Sequence, residues 1–186
     1  NIANFLNSPS TGNDPYGALY SGIQRANIVL RYIDQIPASG ITEEDRSMIK
    51  GEALFLRGYQ YFLLVNNYKE VPLRLIPSNE DETNKAAATE AALWAQVEED
   101  LDNAIKCNLP VERSTAKERI TKGAAIAMLG KVYATQHKYP EAKQLLGTLL
   151  KAPYSYELMD NFEKNFTNEE EFNKESVFEL AYSPDG

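Results

Sequence analysis

Four acids crowd the stretch "QVEEDLD": Glu98, Glu99, Asp100 and Asp102. Glycoside hydrolysis needs two carboxylates flanking one bond, one to donate a proton and one to attack or to activate water. Neighbouring acids on a helix fan out around its axis, however, so this spacing predicts a solvated acidic outer face rather than a converging pair. Other reactive side chains are sparse. His137 is the single histidine and has no serine or cysteine nucleophile beside it in sequence. Following a helix end, it is favoured by the helix dipole without any further role. Cys107 is the single cysteine. It can neither close an intrachain disulfide nor hold zinc alone, and it reads as a small packing residue. "NEEEF" is acidic but lacks the Asp/Asn/Gly spacing of a calcium loop. Asn165 heads a glycosylation sequon, "NFT". No catalytic residue, metal set or cofactor motif emerges, and the chain reads as non-enzymatic.

Recognition chemistry has better candidates. Capture of a polar ligand asks for exposed aromatic rings beside planar polar groups. The loop "STGNDPYG" offers Asn13, Asp14 and Tyr16 for ligand contact, although Tyr16 equally begins a buried stripe. Trp94 is either a stacking platform or, at helical spacing with Val97 and Leu101, core. A different set, Asn27, Glu52 and Arg57, is polar where its surroundings are apolar. Buried polar groups need partners, and an unpaired buried charge costs several kcal/mol. These three are expected to bond to neighbouring backbone and to each other, fixing helix register.

The elements that position these residues are read from periodicity. Tyr16, Leu19, Tyr20, Ile23, Asn27, Leu30 and Ile33 share one helical face, and the pattern stops before Pro37. Thr42, followed by Glu43, Glu44 and Asp45, is an N-cap signal for a helix running to about Tyr68. That second helix carries two stripes: Ile49, Ala53, Leu56 and Leu63, and beside them Phe55, Tyr59 and Phe62. Apolar on two faces, it is predicted to be packed on both sides. A polar connection leads to a third helix over residues 93–108, with Leu93, Val97, Leu101, Ala104 and Ile105 on its stripe. A fourth is predicted over 121–136 and a fifth over 140–150, where Pro140 suits a first turn. Within "GAAIAMLGKVYATQHKYPEAKQLLGTLLKAPYSY", the order Leu129, Gly130, Tyr133, Tyr139, Ala142, Leu146 matches the tetratricopeptide hairpin of about 34 residues. Ile126 and Leu149 depart from it, standing where Trp and Ala are usual. Such a hairpin cannot hide its apolar face alone and must stack on another. The expected fold is all-α: tetratricopeptide-like hairpins in a solenoid-like layer, with long loops and a short C-terminal strand over 177–182.

Composition narrows the partners. A net charge of −8 with no basic block repels a phosphate backbone, so nucleic acid is excluded as a partner. No apolar run reaches the length of about 18 residues that a membrane helix needs. Both ends read as cut. "NIANFLNSPS" carries no methionine, basic region or apolar signal core, and "SVFELAYSPDG" begins a strand pattern with nothing following to pair with it.

Several landmarks taken in order resemble the SusD/RagB family of outer-membrane nutrient-binding lipoproteins of Bacteroidetes. They are "LYSGIQRAN" at 19–27, "GEALFLRGYQYFLLV" at 51–65 and "NYKEVPL" at 67–73, the last similar to the family's tyrosine-glycine-x-valine-proline-leucine stub. "DLDNAIKCNLP" at 100–110, "RITKGAAIAMLGKVY" at 119–133, "NF" at 165–166 and "ESVFEL" at 175–180 follow in the family's order. Lys69 stands where the family usually has Gly. The resemblance implies a lipid-anchored cell-surface protein that binds a glycan or peptide nutrient and delivers it to a TonB-dependent, SusC-like transporter. It also implies a longer parent, with residues 1–175 as the helical scaffold and 176–186 opening the C-terminal portion, which builds much of the ligand site. The rival readings are a tetratricopeptide protein–protein adaptor and a fragment of a helical-toroid glycosidase.

Overall fold

Threonine hydroxyls begin three helices. Thr42, Thr89 and Thr121 accept the backbone N–H of Asp45, Ala92 and Ala124 at 3.0, 3.3 and 3.1 Å, each satisfying a donor that the first helical turn leaves orphaned. Asp14 caps a fourth through Gly17 N–H at 3.0 Å. The structure, a computed structural model, describes residues 14–81 and 83–180. Among these residues five α-helices form: α1 Pro15–Tyr32, α2 Glu43–Tyr68, α3 Glu90–Lys106, α4 Lys122–Thr135 and α5 Tyr139–Leu146. Turns of 3₁₀ helix extend α1 over Ile33–Gln35 and α5 over Gly147–Leu150, which accounts for the longer spans that periodicity predicts.

Each helix packs on its neighbours in sequence, α1 on α2, α2 on α3, α3 on α4 and α4 on α5. The fold is all-α, a single layer of hairpins. The tetratricopeptide contact is visible at Gly130: a Cβ there would lie 2.4 Å from Leu146 Cδ2, so only glycine admits α5 this closely. The core runs through Phe55, Tyr61, Leu64, Val65, Leu93, Val97, Leu101, Leu129 and Val132, all at most 2% exposed.

Helix α2 sits between α1 and α3 as predicted for a helix with two apolar faces, but its stripes are unequal. Phe55 and Phe62 are buried, whereas Leu56 is 41% exposed. With Ile49 and Ala53 it lines an open groove against Gly22, Ala26 and Val29 of α1. Arg25 of α1 and Gln60 of α2 line the same groove, which stays open beside Leu56.

The helix ends at Lys69, with φ 65° and ψ −72°. Glu70 N–H donates to Tyr68 O at 2.8 Å across it, which makes a γ-turn of the strained hand and costs about 1–3 kcal/mol. Lys69 Nζ reaches Glu90 at 2.9 Å, an exposed pair too weak to repay that strain. The turn throws residues 71–76 back along the helices. Val71 O accepts Ala88 N–H at 2.9 Å, and Pro72 bridges Ala87, so the strand-like stub pairs over one residue only. The expected C-terminal strand does not form among the described residues, which stop at Leu180. Among the described residues no backbone hydrogen bond reaches 177–180. Phe178 is used instead as a plug, its ring 5.5 Å from Phe55 and nearly edge-on at 70°.

Candidate functional site

The polar residues inside the helical layer form a clamp. Arg57 Nε and Nη2 donate to the two carboxylate oxygens of Asp100 at 2.8 and 2.6 Å, and Nη1 donates to Asn27 Oδ1 at 2.9 Å. Asn27 turns its amide the other way, donating to the carbonyls of Arg74 and Ile76 at 3.0 and 3.2 Å. Tyr61 Oη both accepts Arg74 N–H at 2.7 Å and donates to Arg74 O at 2.9 Å, while Tyr20 Oη donates to Pro72 O at 2.6 Å. The carbonyls of Pro72, Arg74 and Ile76 and the N–H of Arg74 are thus held from below by side chains of α1 and α2. Backbone groups turned toward apolar helices need such partners, even though the outer side chains Leu75 and Ile76 stay exposed. Burial pushes the hydroxyls of Tyr61 and Tyr20 well above the usual phenol range, so both stay neutral donors.

Beyond this strap the loop is tied down at three further points. Asp81, whose side chain is 3% exposed, takes Arg74 and Lys85 at 3.2 and 3.0 Å. Gln24 Oε1 accepts Ser78 N–H at 2.8 Å, and Glu80 pairs with Arg31 at 2.9 Å.

The structure brings Asn27 and Arg57 together but not Glu52. Five residues advance a helix by about 140° beyond one turn, so Glu52 and Arg57 point to different sides of α2. Glu52 instead takes Arg113 and Arg119, each at 2.6 Å, and fastens the loop between α3 and α4 to α2. Burial pulls the Arg113 guanidinium below its ordinary value, and the bond from Glu52 raises that of Arg119.

Asp100 corrects the prediction of a solvated acidic face. It is 1% exposed, because it stands three residues from Val97 and four from Ala104 on the buried side of α3. The remaining acids do face outward, and none meets another acid there. Glu98 pairs with Lys138, Asp102 pairs with Lys106, and Glu99 is exposed. Glu98 and Asp102 are thus each matched by a lysine. Among the described residues no group of three or more His, Cys, Asp or Glu side chains forms a metal site.

The other sequence candidates have structural engagements. Asn13 lies outside the described residues. Asp14 spends one carboxylate oxygen on its cap, and the Tyr16 ring packs against Tyr20 at 4.9 Å and edge-on to Tyr68 at 5.1 Å. Trp94 is half-buried, edge-on to Phe62 at 6.0 Å, with its indole N–H on Glu90 at 3.2 Å. His137 Nδ1 sits 2.7 Å from Tyr139 Oη on the surface. Cys107 caps α3, and burial pushes its thiol up.

A family model for SusD-like proteins, described as starch-binding and associating with the outer membrane, matches residues 4–134. The chain belongs to this SusD-like family. Solved SusD-like structures superpose on it closely. A laminarin-binding SusD-like protein is 34% identical over 88% of this chain and 36% of its own, with a TM-score of 0.81. A SusD superfamily protein from Bacteroides vulgatus is 35% identical over 88% of this chain and 34% of its own, with a TM-score of 0.80. A SusD-like carbohydrate-binding protein from the same species is 25% identical over 92% of this chain and 37% of its own, with a TM-score of 0.77. The chain therefore spans about a third of the length of these SusD-like relatives. No curated protein matches it. The clamp, the strap and the γ-turn all fall inside the stretch that the family model covers.

Proposed function

We propose that this chain is the helical scaffold of a non-enzymatic, cell-surface glycan-binding protein that hands its ligand to a TonB-dependent outer-membrane transporter. The observation that carries this reading is 34% identity, over 88% of the chain, to a SusD-like protein that binds laminarin. The acids support it from the other side, since those with partners are engaged by cations rather than paired with one another. In this reading residues 1–175 are the scaffold and 176–186 open the portion that follows. A lipid anchor holds the protein at the membrane, and the helical layer docks on the transporter. The contribution to uptake is proximity: a glycan held beside the pore meets it at a raised effective concentration, with no bond made or broken.

The test is uptake of fluorescently labelled glycans by the native bacterium with and without the gene for this protein. Deletion is expected to cut uptake of one glycan about tenfold or more, well inside the roughly hundredfold or greater gain that linked binding can provide. Cross-linking in the intact strain is expected to recover a β-barrel transporter. Unchanged uptake across a panel of neutral polysaccharides would overturn the proposal.

A further inference from the structure

Tyr154 and Tyr156 stand two residues apart on the connection that follows α5. Alternate residues of an extended segment point to one face, so both rings project the same way. Their centroids are 6.1 Å apart and their planes differ by 12°. They line a cleft of about 290 Å³ whose other walls come from residues 111–117 and 172–179.

All three walls are fixed before any ligand arrives. Glu157 N–H donates to Lys174 O at 3.0 Å, tying the tyrosine segment to the opposite wall. Glu179 accepts Phe172 N–H at 3.1 and 3.0 Å through its two oxygens, and Phe178 is anchored on Phe55. The third wall is held by Glu52, which grips Arg113 between Glu112 and Lys117. Tyr156 needs a glycine to sit where it does: a Cβ on Gly123 would lie 2.1 Å from its hydroxyl oxygen. Burial, with Glu112 nearby, raises the phenol of Tyr156 above its ordinary value.

Glu112 and Lys117 are both exposed at the cleft edge. Neither has a hydrogen-bond or ion-pair partner among the described residues. The cleft is lined by Glu112 and Glu179 against Arg113, Lys117 and Lys174, and Arg113, Lys174 and Glu179 are already engaged within the fold. One free carboxylate and one free ammonium beside two half-exposed parallel rings suit a neutral, hydroxyl-rich ligand better than an anion. The rings offer flat faces for sugar C–H groups, and the charged pair offers an acceptor and a donor for hydroxyls. The volume lies at the small end of ligand sites, enough for one or two sugar units.

We propose that the Tyr154–Tyr156 cleft is a glycan-binding subsite, taking a short segment of a neutral β-glucan across the two rings with its hydroxyls on Glu112 and Lys117. This rests on the glycan-binding reading above and adds a location for it within this chain.

Calorimetric titration of laminarihexaose into the chain tests it. Tyr154→Ala is expected to weaken binding about tenfold, the loss typical of an aromatic anchor. Tyr154→Phe, which keeps the ring, is expected to stay within about twofold, since only an exposed hydroxyl is lost. Lys117→Ala removes an exposed side chain with no partner in the fold, so it cannot fail by unfolding; it is expected to weaken binding about threefold, one net hydrogen bond. Gly123→Ala is expected to displace Tyr156 and weaken binding with the helices intact by circular dichroism. If the hexasaccharide binds and neither Tyr154→Ala nor Lys117→Ala changes the affinity, the cleft is not the subsite, while the glycan-binding reading survives. If the wild-type chain takes no hexasaccharide, the cleft proposal fails outright, and the uptake experiment still judges the wider reading separately.

Discussion

Asp100→Ala is expected to destabilise the chain by about 3–5 kcal/mol, the cost of breaking a buried ion pair from one side. At 186 residues this is a fall in Tm of roughly 6–20 °C. The size follows from what is left behind. Arg57 would keep its charge at 8% exposure with only the Asn27 side chain and, at 3.4 Å, the Leu75 carbonyl to receive its donors. Gln96 would lose its 3.0 Å bond to Asp100 as well. The damage should spread to the strap, because Asn27 is oriented by Arg57 and holds Arg74 O and Ile76 O. Removing both charges, as Arg57→Met with Asp100→Leu, is expected to recover much of the loss, since a buried pair replaced by apolar groups of similar size is often near neutral. Thermal and urea unfolding followed by circular dichroism measures all three proteins. An Asp100→Ala variant melting within about 2 °C of wild type would mean that water reaches Arg57 and that the clamp is not buried as described.

Phe55→Ala is expected to cost about 3–5 kcal/mol, the range for deleting a buried aromatic ring. Phe55 is 1% exposed and stacks on Tyr59 at 6.3 Å with Phe178 against its edge. Its loss leaves a cavity and frees the plug that holds residues 176–180. Amide exchange in that stretch should therefore accelerate beyond what global destabilisation explains. Leu56→Ala, one residue along the same helix, is expected to cost less than about 1 kcal/mol, because Leu56 is already 41% exposed. Equal losses for the two variants would contradict the orientation of α2. Against a total stability of about 5–15 kcal/mol, either large loss takes a substantial share.

These variants fall where local pattern and tertiary context diverge. Helix starts at Thr42 and Thr121 are legible because a cap and its first turn are adjacent in sequence. The α4–α5 hairpin is legible because the approach at Gly130 is set by residues within one repeat. Asn27 and Arg57 stand out as polar positions on apolar stripes. Their shared partner does not, because Asp100 lies 43 residues from Arg57 and sits among three other acids of identical appearance. Burial of Asp100 follows from its register with Val97 and Ala104, a signal present in the sequence but outweighed there by local charge. Glu52 failed differently: its partners are two arginines in a polar loop, 61 and 67 residues away, and no periodicity links them to α2. The exposure of Leu56 belongs to the open groove between α1 and α2, a tertiary feature that no local pattern marks. Tyr154 and Tyr156 gave a faint signal, an alternation in "PYSYE", but a cleft exists only once three loops are held around them.

The proposed role requires that this protein hold a glycan without cutting it. Laminarin incubated with the protein and analysed by size-exclusion chromatography with light scattering tests that directly. The expected result is that the polysaccharide elutes with the protein and keeps its full length over many hours. Progressive shortening of the polymer would contradict the account and return the acids of α3 to the position of candidate catalysts.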